Sequence, residues 1–133
     1  MTRYTTFAIS WTAFIIYLSS RPGGSFGGDG SLREQVISNL AHIPEYALLT
    51  FLWLKAFVVL QQNGDGITSR RKAAVLAGLV FFAVSDEIHQ SFVPDRSASL
   101  MDIGLDLTGI LAGMWIYKTR VFKAGIALLR KKP

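Results

Sequence analysis

The stretch Ser85–Arg96, S-D-E-I-H-Q-S-F-V-P-D-R, sets Asp86 and Glu87 beside His89, Gln90 and Arg96, against the end of the apolar run Ala73–Val84. Ionisable groups at the edge of a membrane-like run are costly unless they are paired, hydrated or used. A histidine next to a carboxylate can act as a general acid or base near neutral pH. Carboxylates with histidine can hold a divalent cation. An arginine placed after a Pro-Asp turn can grip a phosphate through two parallel hydrogen bonds.

Residues three and four apart on a helix share a face. His42, Glu45 and Tyr46 therefore form one patch, and Asp86, His89 and Gln90 a second. Glu87 is turned by about 100° from Asp86. Asp102 and Asp106 form a third patch. Three such patches facing one another would enclose a polar pocket. In it, His42, Asp86, Glu87, Gln90 and Asp102 are expected to do acid–base or metal work. Tyr46, His89, Arg96 and Asp106 are expected to hold the substrate. The cofactor is left open, with a divalent cation as one choice. A purely structural use competes with this one. Asp86 or Glu87 would pair with Arg96, Asp102 would cap the fourth helix, and His42 would be a polar helix tip.

The elements that must carry these residues are apolar segments. Half of the 133 residues are hydrophobic and 17% are charged, against about a quarter charged in soluble domains. A hydrocarbon core of about 30 Å needs roughly 20 apolar residues as helix. Four segments meet or approach that: Tyr4–Ser20, Asn39–Leu60, Lys72–Gln90 and Ser99–Tyr117. Turn residues separate them, with Pro22-Gly23-Gly24 and Gly27–Gly30 after the first, Asn63–Gly66 after the second and Pro94-Asp95-Arg96 after the third. The first segment reads as a retained helix and not a removed secretory signal, because Arg3 alone charges its start and three apolar segments follow. The expected fold is all-α, a four-transmembrane-helix bundle with short loops, in residues 1–118. Residues 119–133 would be a basic amphipathic C-terminal tail, either frayed or lying as an interfacial helix. Gly109-xxx-Gly113 predicts a close-packed face on the fourth helix, and Ala74-xxx-Gly78 one on the third. Trp11, Tyr17, Trp53, Trp115 and Tyr117 suggest interfacial belts.

Four spans would put both termini and the middle loop on one side, with Arg3, Arg70, Arg71, Lys72, Lys118, Arg120 and the tail's basic residues. The other side has only Arg21, Arg33 and Arg96. The positive-inside rule then places both termini in the cytoplasm and the three polar patches at the outer face of the cytoplasmic membrane. The same asymmetry accounts for the net charge of +5 through membrane lipids, so nucleic acid is not expected as a partner. Lys55, near the inner end, is expected to snorkel. The absence of cysteine excludes disulfides, thiolate metal sites and a cysteine nucleophile. The nearly apolar inner halves argue against a transport path.

The run Asp86-Glu87-x-x-Gln90-x-Phe92-x-Pro94-x-Arg96, followed by Asp102 and Gly109, resembles the VanZ-like family of small bacterial membrane proteins. His42 and Tyr46 match its polar and aromatic positions at the start of the second helix, and Ser19 and Ser20 its serine pair ending the first. The resemblance covers Tyr4–Tyr117. Two positions depart from it: Ser38-Asn39 stand where Asp-Lys is common, and Asp106 replaces an Asn. The family is named for a member linked to glycopeptide-antibiotic resistance, which implies a cell-envelope role and carries no agreed reaction. A lipid-linked phosphate or glycan is the expected substrate. The alternative is an accessory protein that binds a lipid headgroup, glycopeptide or partner protein without turnover.

Overall fold

The computed structural model describes residues 2–22, 32–60, 67–96 and 99–129, with only the backbone course for 32–38, 60 and 121–129. Four helices follow one another: α1 (Arg3–Ser19), α2 (Leu32–Leu60), α3 (Ser69–Gln90) and α4 (Leu100–Leu129). No strand occurs among the described residues. The glycine-rich run after α1, the Asn63–Gly66 turn and the last four tail residues lie outside the described residues.

The starts of α1, α3 and α4 are each set by a side-chain oxygen. Thr2 accepts from the Thr5 amide at 3.3 Å and Thr68 from the Arg71 amide at 3.4 Å. Ser99 accepts from the Met101 amide at 3.1 Å. These bonds satisfy amides that have no partner inside the helix. Two boundaries differ from the sequence reading. Helix α2 begins at Leu32, inside the expected loop Arg21–Ser38, and α4 runs on to Leu129 through the expected tail. Hydropathy marks where apolar residues stop, whereas a helix stops where its backbone bonds fail, and no proline interrupts 119–129.

Among the described residues, three helical stretches are long and apolar enough to cross a membrane: Asn39–Val59, Ser69–Gln90 and Leu100–Arg120, of 21, 22 and 21 residues. Helix α1 has 17 residues, about 25 Å at 1.5 Å per residue, short of a core of about 30 Å. Only 33% of each span is buried. The outward faces carry Phe81, Leu111 and Trp115, which are 74, 61 and 67% exposed. Helices so apolar on their exposed sides are suited to lipid, not water.

The core gathers Ile15, Tyr46, Leu49, Leu54, Leu79, Ala83 and Ile110. Helix α2 is central. It packs most extensively on α4 and next on α1, while α3 touches the other three more lightly and α1 does not meet α4. Gly109 lies against Ile43 and Tyr46, and Gly113 against Ala47 and Thr50. The contacts advance together along both chains, so α2 and α4 run parallel, as alternating up-and-down helices require. The expected close face at Gly109 and Gly113 is therefore the α2–α4 seam. Gly78 and Gly104 have open space where a side chain would stand. Trp11 and Trp53 pin α1 to α2. Trp11 Nε1 donates to the Glu45 carbonyl at 3.0 Å, and Trp53 Nε1 donates to Thr12 Oγ1 at 3.2 Å. Tyr117 is buried, and Lys55 sits over the Phe51 ring at 5.9 Å.

Candidate functional site

The alternation of helix direction brings the ends of α1 and α3 to the starts of α2 and α4. Three contacts fix this end of the bundle. His42 Nδ1 lies 2.8 Å from Asp106 Oδ1, joining α2 to α4. The Glu87 carboxylate accepts from the Ser99 amide, joining α3 to the start of α4. Ser20 Oγ lies 3.0 Å from His89 Nε2, joining α1 to α3.

His42 and Asp106 are both buried, with side chains 11 and 1% exposed. A carboxylate at Nδ1 holds that nitrogen's proton and leaves Nε2 as the basic position. Nε2 makes no hydrogen bond among the described residues. Glu45, Asp102 and Asp106 all lie within electrostatic reach of His42. Asp86 lies within reach of Asp106, Glu45 and Tyr46, and Glu87 within reach of Asp102 and Asp106. The carboxyl groups thus form one cluster, drawn from α2, α3 and α4.

A chain of donors borders it. Arg96 Nη1 donates to Gln90 Oε1 at 3.2 Å, and Gln90 Nε2 donates to Asp86 Oδ2 at 3.1 Å. Arg96 also donates from Nε to the Arg21 carbonyl at 3.2 Å and from Nη2 to the Leu18 carbonyl at 3.4 Å. The Leu18 carbonyl, in the last turn of α1, also accepts from the Arg21 amide at 3.2 Å, and the guanidinium gathers it with the Arg21 carbonyl to close that helix end. The turn Val93–Arg96 aims it: the Arg96 amide donates to the Val93 carbonyl at 3.2 Å. Pro94 occupies the first central position and Asp95, at φ 59°, the second.

Several polar atoms within this end are buried without a partner: Ser19 Oγ, Arg21 Nε, Tyr46 Oη, Glu87 Oε2 and Asp102 Oδ1. Tyr46 is fully buried, its ring 6.1 Å from that of Phe82. Buried polar atoms are ordinarily satisfied, so a group of five at one end of a bundle is a place for water or a ligand. Among the described residues, no three His, Asp or Glu side chains are grouped to hold a metal ion.

Asp86, Glu87, Gln90, Asp102, Asp106, His42 and Tyr46 are thus brought together and buried. His89 is not among them. It is exposed, on the α1 side of α3, although Asp86, His89 and Gln90 share a face by spacing. A face of a helix is broad enough to span two neighbours, and α1 takes one edge of it. Arg96 pairs with neither Asp86 nor Glu87 directly; Gln90 stands between it and Asp86. Asp102 occupies the first turn of α4, while Ser99 does the capping. Sequence reasoning passed over Ser99 as a cap, although Ser-x-x-Asp before an apolar run is the signal for one. It also passed over Thr50, whose buried hydroxyl is unpartnered deeper in the α2–α4 seam.

The described residues are all-helical, with three helices of membrane length, and define a membrane protein that carries a buried acid–histidine cluster at one end. The VanZ/LLP1 family model matches residues 4–123, and the chain belongs to that family. Neither the curated proteins nor the solved structures give a significant match.

Proposed function

We propose that this protein sits in the cytoplasmic membrane of a bacterial cell with four spans and both termini inside, and that its polar end faces outward to act on a lipid-linked phosphate or glycan. The observation that carries this reading is the buried His42–Asp106 pair at 2.8 Å. In this reading Asp106 orients His42. His42 Nε2 takes a proton from an attacking hydroxyl or water and returns it to the leaving oxygen. Glu87 and Asp102 present unpartnered oxygens to hydroxyls of the head. Arg21, whose guanidinium lies 5.3 Å from the Tyr17 ring at the rim, supplies positive charge for a phosphate. Helix α1 makes the fourth span by tilting little and drawing the bilayer thinner around its 17 residues.

One observation favours binding without turnover. Three bonds commit Arg96 to Gln90 and to the end of α1, so the expected phosphate grip is engaged in holding the fold. An accessory protein that captures a headgroup needs no more than this.

Lipid mass spectrometry on protein purified from its membrane tests both. An enzyme should copurify with more of a lipid-linked phosphate or glycan when His42→Ala stops turnover. A binding protein should hold the same lipid in equal amount before and after His42→Ala and lose it with Glu87→Gln. Copurification of bulk phospholipid alone from all three proteins would overturn the proposal.

A further inference from the structure

Helices α3 and α4 meet only lightly, and two depressions lie end to end along their seam. The first, of about 270 Å³, is lined entirely by apolar side chains, among them Leu76, Val80, Leu107 and Leu111. The second, of about 220 Å³, continues it past Val84, Ile88 and Ile103 to Glu87 and Ser99. On α3 the lining residues Leu76, Val80, Val84 and Ile88 recur every four positions and so make one stripe. From Leu76 to Ile88 the stripe is about 18 Å long at 1.5 Å per residue. Half of a hydrocarbon core is about 15 Å. The groove is therefore one leaflet deep, apolar along its length, and polar only at the end it shares with the candidate site.

Glu87 closes that polar end. It is 3% exposed and lines the groove. One carboxylate oxygen accepts from the Ser99 amide, while Oε2 has no partner. While it is ionised, a carboxylate only accepts hydrogen bonds, and in that state the group that completes Oε2 is an O–H or N–H donor. A phosphate at the same point would face Glu87 and, within electrostatic reach of it, Asp102 and Asp106, with the imidazole of His42 as the one basic group there among the described residues.

We infer that the α3–α4 groove binds a single hydrocarbon chain of the outer leaflet whose head is neutral and hydroxyl-bearing, with one hydroxyl donating to Glu87 Oε2. The inference rests on the proposed lipid-linked substrate and names its chemistry at this point: a sugar hydroxyl abuts Glu87, and any phosphate lies away from it. A second copy of this chain is a poorer occupant, because a packed helix would leave Oε2 facing apolar side chains.

The probe is a hexadecyl glucoside with a diazirine in the chain, compared with the hexadecyl phosphate bearing the same diazirine, each added to the full chain in phosphatidylcholine nanodiscs. Photolabelling followed by peptide mapping should place the glucoside adduct on 76–88 and 100–114. Labelling there should exceed that by the phosphate at least five-fold. Val80→Trp, which fills the groove in apolar depth, should cut the seam adduct at least five-fold while the protein melts as the wild type does. Glu87→Gln, whose oxygen must still accept from the Ser99 amide and so turns its NH2 donor to the groove, should erase the preference for glucoside while seam labelling persists. Adducts spread evenly over the exposed faces of all helices would overturn the inference, as would equal labelling by both heads or a seam covered by protein–protein crosslinks. Even labelling combined with His42-dependent accumulation of a lipid-linked species would overturn this inference and leave the proposed function standing. Seam labelling with no such accumulation would do the reverse.

Discussion

The tight approach of α2 and α4 at Gly109 and Gly113 makes a prediction of opposite sign from the open glycines at 78 and 104. A methyl group on Gly113 would lie 2.8 Å from Thr50 Cβ and nearer still to the Ala47 carbonyl oxygen. On Gly109 it would lie 2.6 Å from the Ile43 carbonyl oxygen and 2.8 Å from Tyr46 Cβ. Carbon atoms rest about 3.5–4.0 Å apart, so α2 and α4 must separate by about 1 Å to admit either methyl. Overpacking of this kind costs about 1–3 kcal/mol. The same separation would stretch the His42–Asp106 bond from 2.8 Å to beyond the roughly 3.5 Å at which a hydrogen bond is lost. Gly78 and Gly104 meet nothing within 4 Å, and Ala there gains helix propensity of up to about 1 kcal/mol. Melting curves from tryptophan fluorescence in nanodiscs should therefore place Gly109→Ala and Gly113→Ala below the wild type, and Gly78→Ala and Gly104→Ala at or above it. A Gly113→Ala protein as stable as the wild type would refute the seam geometry, and so would four substitutions that all move the melt the same way.

Two further outcomes follow from the polar end and its turn. Asp106→Leu leaves His42 Nδ1 buried without its partner and should cost about 1–3 kcal/mol; adding His42→Phe should recover most of that loss in the melt without restoring lipid binding or turnover. Asp95→Val puts a β-branched residue at φ 59° and should cost about 1–2 kcal/mol, whereas Asp95→Gly should be tolerated; equal melts for the two would show that the turn does not need this backbone.

The sequence makes the helices and most of the polar end legible. Blocks of apolar residues announce α2, α3 and α4, and a period of three and four puts His42 with Tyr46 and Asp86 with Gln90. The turn of about 100° between Asp86 and Glu87 is also legible, and it is what sends Glu87 towards α4. Partners are less legible, because spacing gives a face and not a neighbour. His89 shares the Asp86 face by spacing and still reaches Ser20 on α1. Arg96 is set by a positive-φ aspartate and by carbonyls of α1 that are distant in sequence. The spacing of the crowded pair, Gly109 and Gly113, foretells their close face, whereas the like spacing of Ala74 and Gly78 does not, because Gly78 has open space before it.

The crowded pair also explains how the polar end is tolerated where it is. His42 and Asp106 enter an apolar depth, where each alone would be a costly buried group. They offset one another only if their helices approach closely, since a histidine and an aspartate are short. Gly109 lies three residues beyond Asp106 on α4, and Tyr46 four beyond His42 on α2. The glycine therefore sets the helix spacing one turn from the pair it serves. Any larger residue at Gly109 would leave both polar groups in place and unable to meet. The close seam and the candidate site are thus one feature. A chain that kept His42 and Asp106 but lost Gly109 should behave as though it had lost the pair, with a lowered melt and a His42 ring released from a fixed tautomer. Nitrogen chemical shifts of a ¹⁵N-labelled His42 ring in Gly109→Ala, compared with those in Asp106→Leu, would decide the point. Matching shifts uphold the coupling, and a wild-type His42 spectrum in Gly109→Ala refutes it.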